Sequence, residues 1–225
     1  KNSILIPIFL ILLIFSVLLT GERASFLFLL EFLILYFIFL FRNKISILLK
    51  ILIPTLISLA LLINLPGIKD RYSDLYNILM NFEQSSYGKL YSSGIQVWKL
   101  NPINGVGFKN FRVNCDIQVV DQSANTHPLC STHPHNLYLE ILSETGIIGF
   151  LLFCFFILFL FQKILKQINF NKNDILKIVP VIILFLLFWP ISTAGSFYTS
   201  WNGLYFWLYL GLFLNFSKNK ISLEI

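Results

Sequence analysis

The stretch Ser131-Thr-His133-Pro134-His135-Asn136-Leu-Tyr-Leu-Glu140-Ile-Leu-Ser-Glu144-Thr-Gly146-Ile-Ile-Gly149 carries two of the chain's three histidines and two carboxylates, and it runs straight into a long apolar segment. A water-exposed segment diving into hydrocarbon at this point accounts for both halves of the pattern. Pro134 lacks an N–H and has a fixed φ, which suits the first turn of a helix, with Thr132 or His133 as its cap. On such a helix Asn136, Glu140 and Glu144 fall at i, i+4 and i+8 and form one polar stripe. His135 then sits in the first turn, where the helix dipole disfavours its charged form. A neutral imidazole accepts a proton near pH 7, which is the task of a general base. Taken alone, a His-Pro-His string is more often a pair of capping residues at a wet interface.

Outward from this stretch the chain reads as a polytopic membrane protein. Hydrophobic residues make up 56% of it and charged residues only 12%, with Phe occurring 24 times, a balance no soluble domain needs. Six apolar stretches recur: Ile4 to Leu19, Ala24 to Phe41, Ile45 to Leu65, Gly146 to Phe161, Ile175 to Phe197 and Trp201 to Phe216. Between the third and fourth lies one large extramembrane loop, residues 66–145. Within it Tyr72, Leu75, Leu79 and Phe82, and again Leu90, Gly94, Val97 and Trp98, recur at helical spacing, so both pieces read as amphipathic helices lying on the membrane or on other helices. The expected fold is all-α, a bundle of about six membrane helices with that loop, forming a single integral membrane domain over residues 1–225. The chain opens on Lys1 and is read as a fragment of a longer protein.

Placing Lys1 in the cytoplasm collects Lys1, Arg42, Lys44, Lys50, Lys163, Lys166, Lys172, Lys177, Lys218 and Lys220 on that side, against Asp174 and Glu224. The two sides then carry +8 and −2, which sum to the chain's +6. This follows the positive-inside rule, so the basic charge reports topology and no nucleic-acid partner is expected.

The turn Thr20-Gly21-Glu22-Arg23-Ala24-Ser25 falls on the outer face. Arg23 sits at the first turn of a helix, where exposed N–H groups favour an anion and a guanidinium grips phosphate oxygens in pairs. The commoner role of an isolated Arg at a helix end is to snorkel to lipid headgroups. Glu31, midway along the same helix, must face the protein interior or a watery cavity.

Three ordered strings resemble one family. His135-Asn136, nine residues, then Gly146-x-x-Gly149 resembles the signature of the O-antigen ligase and O-antigen polymerase family of bacterial envelope glycosyltransferases, as does the wider string from His133 to Gly149. Thr20-Gly21-x-Arg23-Ala24 resembles the family's second signature, and Trp98 to Phe111 a third segment, to which we assign a scaffolding role. The resemblance implies a multi-pass, metal-independent enzyme of the bacterial inner (plasma) membrane, with its active site facing the periplasm and no cofactor. It implies transfer of glycan from undecaprenyl diphosphate to an acceptor hydroxyl, on lipid A core for a ligase or on another lipid-linked glycan for a polymerase, with membrane lipid as a further partner. His135 is expected as base or acceptor-orienting group and Arg23 as diphosphate clamp. Asn136, Glu140 and Glu144 are expected to bind sugar hydroxyls of the substrate or to hold the tautomer of His135, and His133 to bind substrate or to replace His135. A transporter or flippase is the alternative of a different class. It needs several ionisable groups at mid-membrane depth, and the sequence offers essentially Glu31.

Cys115 and Cys130 both fall in the loop on the oxidising side, and a disulfide between them would stabilise by about 3 kcal/mol and brace the segment before His133. The competing reading is a metal site from His127, Cys130, His133 and His135, which lacks the paired spacings of a zinc site. Cys154 lies inside an apolar run as inert packing. Trp189, Tyr198, Trp201, Tyr205, Trp207 and Tyr209 read as interfacial aromatic anchors.

Overall fold

The computed structural model describes residues 14–17, 19–20, 22–41, 77–78, 80–116, 129–168, 175–190 and 195–218, all in helices, turns and bends with no strand among them. The chain divides into two compact units, Lys1–Met80 and Asn81–Ile225.

In the first unit, helix α1 spans Arg23–Phe41. Thr20 builds its approach: the hydroxyl donates to the Val17 carbonyl at 2.7 Å and accepts from the Glu22 amide at 3.2 Å. Along α1 Phe26 and Leu33 are buried, Phe32 stacks on Tyr36, and Glu31 is half-buried. The stretch Ile45 to Leu65, most of Ile4 to Leu19, and Tyr72, Leu75 and Leu79 lie outside the described residues.

The second unit begins with a 3-10 turn at Phe82–Gln84 and continues through α2 (Ser86–Leu100), α3 (Phe111–Asn114), α4 (Leu137–Gln167), α5 (Ile175–Leu187) and α6 (Ser200–Lys218). Ser85 caps α2, accepting the Gly88 amide at 3.1 Å. One face of α2 buries Leu90, Ser93, Gly94 and Val97, the i, i+3, i+4, i+7 pattern of a packed helix. Gly94 is the contact point with α4 and its approach, since a Cβ there would lie 3.2 Å from Pro134 and 3.3 Å from Leu139. The face that the sequence offered to membrane or protein is therefore used on protein. Behind it Val97, Phe111 and Cys115 form a fully buried nucleus, with Val106 and Cys130 packed on it. Cys115 and Cys130 are joined by a disulfide, Cα atoms 5.8 Å apart, which pins the chain three residues before His133.

Helix α4 is the described helix long and apolar enough to cross a membrane; Ala24–Phe39 and Leu176–Leu187 are apolar but shorter. Beyond Gly146 it exposes Leu151, Leu152, Phe155, Phe156, Leu158 and Phe159, an apolar surface that water would not tolerate. The expectation of a single helix over Ile175 to Phe197 is corrected. Helix α5 stops at Leu187, and Phe188–Pro190 form a turn, because proline cannot donate to the preceding turn and restricts the residue before it. Phe188, Phe197 and Phe206 then interlock, with ring centroids 5.6 to 6.1 Å apart, where α6 packs against α5.

Candidate functional site

Helix α4 starts later than the proline suggests. Its cap is Asn136, with extended backbone, whose Oδ1 accepts the amides of Tyr138 at 3.0 Å and Leu139 at 3.1 Å. Thr132 and His133 do not cap; the Thr132 hydroxyl instead lies 2.9 Å from His133 Nδ1. His135 is outside the helix altogether, in the left-handed region at φ 54°. Its ring faces that of His133, centroids 4.2 Å apart and tilted by 30°. Burial first, and then the neighbouring His133, hold the His135 imidazole below its usual pKa. A neutral His135 thus follows from desolvation and a paired ring rather than from the helix dipole.

The polar stripe is real, but it points inward. Asn136 is 5% exposed, and Glu140 and Glu144 are each 2% exposed. Asn136 Nδ2 donates to the Pro190 carbonyl at 2.9 Å and to the Tyr91 hydroxyl at 3.3 Å. Glu140 accepts the Phe197 amide at 3.0 Å and a hydrogen bond from the Ser196 side chain. Glu144 accepts the amides of Lys109 at 2.8 Å and Phe111 at 3.3 Å, holding the non-glycine left-handed turn at Lys109 and the start of α3. Tyr138 adds a bond from its hydroxyl to the Phe188 carbonyl at 2.7 Å. These bonds tie Asn136, Glu140 and Glu144 to protein groups, and through them the three side chains position the loops around the histidines.

Gly146 carries the third device. At φ 67° and ψ −171° it breaks the helix, and residues 101–107 fill the gap. The carbonyls of Ser143 and Glu144, orphaned by the break, accept the amides of Val106 and Gly107 at 3.0 and 2.9 Å. The orphaned amides of Ile147 and Ile148 donate to the carbonyls of Pro102 and Ile103 at 2.9 and 3.5 Å. Trp98 Nε1 also donates to the Pro102 carbonyl, at 3.1 Å. A Cβ on Gly105 would run into the Glu144 main chain, and one on Gly146 into that of Ile103. The scaffolding segment Trp98 to Phe111 and the Gly146-x-x-Gly149 string are therefore two sides of one main-chain splice.

Tyr198, read from sequence as an interfacial anchor, packs edge-on against Phe108 at 5.1 Å, and burial together with the nearby Glu144 and Glu140 pushes its hydroxyl pKa up. Beside it a cavity of about 390 Å³ is lined by aromatic rings, among them Phe153, Phe197, Phe206 and Trp207, and by Thr199. Arg23 opens α1, at the helix start read from its sequence. Among the described residues no cluster of three or more His, Cys, Asp or Glu is placed to hold a metal ion. The sulfur of Cys130 is already bonded in the disulfide, which removes it from the alternative metal set; His127 lies outside the described residues.

The family model for O-antigen ligase matches residues 8–154, a span that includes Thr20 to Arg23, the loop and the whole His133 to Gly149 stretch. The chain belongs to the O-antigen ligase family. A Rickettsia felis protein provisionally named a polysaccharide ligase is 44% identical over 78 residues, covering 33% of this chain and 18% of that protein's length. The chain thus aligns with less than a fifth of that relative. No solved structure matches it. Membership of a membrane-associated, ligase-like family agrees with the span at α4 and with the apolar composition.

Sequence reasoning missed several supports of this family's histidine segment. Tyr91 and the main chain at Pro190 and Phe197 hold Asn136 and Glu140, and Ser93 donates to the Leu129 carbonyl at 3.0 Å beside the disulfide. The one available signal was Gly195-Ser196, small and polar at the end of an apolar stretch, which marks a turn.

Proposed function

We propose that this chain forms part of an O-antigen ligase-like glycosyltransferase that moves glycan from undecaprenyl diphosphate to an acceptor hydroxyl at the periplasmic face of the bacterial inner membrane. The observation that carries the reading is the His133–His135 pair: a half-buried imidazole kept neutral, immediately before an Asn-capped helix that leads into the span. In this mechanism the acceptor oxygen attacks the anomeric carbon. The bond from that carbon to the diphosphate oxygen breaks, and undecaprenyl diphosphate leaves with the electron pair. The acceptor's proton passes to His135, with His133 as the neighbouring acceptor. Arg23, at the N-terminus of α1, supplies cationic charge to the departing diphosphate, and no metal is required. About six membrane helices with residues 66–145 outside the membrane, in a single membrane domain, complete the proposed architecture. Lipid A core is the favoured acceptor, consistent with the ligase name of the Rickettsia felis relative.

The test is deletion of the full-length gene in its host, followed by complementation with wild type or His135→Ala, comparing envelope glycolipids with the lipid-linked glycan pool on a gel. Loss of the polymer ladder, with long glycan accumulating on undecaprenyl diphosphate, is expected for the deletion and for His135→Ala. Single repeats remaining on the core would assign a polymerase instead. An unchanged pattern would sink the enzyme reading and return attention to the transporter.

A further inference from the structure

Three observations converge on residues 99–113. First, Ile103, Phe108 and Val113 are 58%, 66% and 53% exposed, and Leu100 is exposed beside them. So much bare apolar area on a short extramembrane segment marks an interaction surface. Second, the charged residues of this segment are Lys99, Lys109 and Arg112, all exposed; it contains no Asp or Glu, and Asp116 is the nearest acid that follows. Third, its height is fixed. The carbonyls of Pro102 and Ile103 accept the first amides of the apolar part of α4, so Ile103 stands level with Ile147 and Ile148, where the exposed apolar surface of the span begins.

We propose that residues 99–113 are a membrane foot, seating this part of the molecule on the anionic phospholipid headgroups that surround α4. The chemistry fits an interface rather than a soluble partner. Apolar side chains dip to the acyl boundary, three cations meet phosphate, and the main-chain bonds join the segment to α4 where the exposed apolar residues of the span begin. Through Glu144, which holds the Lys109 turn, and the splice at Gly146, the foot also fixes the height of the histidine pair above the bilayer. This inference rests on α4 crossing the membrane.

The experiment places single spin labels at Phe108→Cys, Val113→Cys and Phe155→Cys in full-length protein carrying Cys154→Ala, with the disulfide intact. The protein is reconstituted in phosphatidylcholine vesicles with and without phosphatidylglycerol, and collisions with oxygen and with a water-soluble nickel chelate are measured. Labels at 108 and 113 are expected to be shielded from the chelate several-fold relative to detergent. Shielding should be stronger with phosphatidylglycerol, and a Lys99→Gln, Lys109→Asn, Arg112→Gln variant should lose that added part. Open labels at 108 and 113 with a shielded label at 155 would overturn the foot and leave α4 as a span. An open label at 155 would overturn the span and the foot together. Shielding that ignores phosphatidylglycerol, or that appears only at high protein density, would overturn the lipid partner in favour of an apolar contact or a second copy.

Discussion

At the scale of single residues, the proposed site turns on a histidine outside regular structure. His135 occupies the left-handed region at φ 54°, uncommon for a side chain of its size, and it is held there between Pro134 and the cap at Asn136. Because burial and His133 both lower its pKa, the neutral base should persist to lower pH than a free imidazole allows, so the acidic limb of the pH–rate profile falls below about 6.5. Replacing His133 by Gln removes the neighbouring positive charge that disfavours protonation. The His135 pKa then rises, and the acidic limb moves to higher pH. The check is the pH profile of glycan transfer for wild type and His133→Gln; a limb that stays in place or moves downward would show that the pair is not electrostatically coupled. The residue types of this site were legible in the sequence, because proton transfer and helix termini draw on a short list of side chains. Their roles were less so. From spacing alone Asn136 and both glutamates read as groups that bind sugar hydroxyls or hold the tautomer of His135, and the protein partners that tie them down lie 33 to 57 residues away in sequence, out of reach of a local reading.

At the scale of elements, the splice between residues 101–107 and the broken helix α4 is the feature most sensitive to change. Two stretches of main chain approach with no room for a Cβ, and both Gly105 and Gly146 have positive φ. Gly105→Ala or Gly146→Ala should each cost about 1–2 kcal/mol for the left-handed backbone alone, and more once the splice is pushed apart. Gly211 provides the contrast: it is exposed on α6 with nothing within 4 Å of an added Cβ, so Gly211→Ala should be neutral or stabilising by about 0.5–1 kcal/mol. Thermal unfolding of the three variants in detergent distinguishes the cases, and equal melting temperatures would refute the splice as a structural requirement. Helix existence was readable for α1, α2, α4 and α6, where apolar content or periodicity is strong. The break at Gly146 was not, since it depends on partners far along the chain, the carbonyls of Pro102 and Ile103, whereas the end of α5 at Leu187 had a local signal in Pro190 that the length of the apolar stretch overrode.

At the scale of the whole molecule, the ties at Pro190 and Phe197 bear on which way the chain faces. Asn136 holds Pro190 and Glu140 holds Phe197, so the end of α5 and the approach to α6 lie at the same end of the second unit as the histidine stretch. With α4, α5 and α6 running back and forth from that end, Lys163, Lys166, Lys177 and Lys218 gather at the other end. A basic end opposite a histidine end is the arrangement that the proposed orientation, with the histidines outside the cytoplasm, requires. In the bacterial host, alkaline phosphatase fused after Gln122 should be active, because its own disulfides form only on the oxidising side. The same enzyme fused after Asn171 or Asn219 should be inactive, while a fluorescent reporter at those two positions should mature. Active phosphatase after Asn171 would invert the topology and put the proposed base on the cytoplasmic side, where the lipid-linked donor would have to be met before its export. A mixed result, with both reporters functional at one position, would mean that α4 inserts in two orientations and that the missing directional force lies in segments other than the basic ends of these three helices.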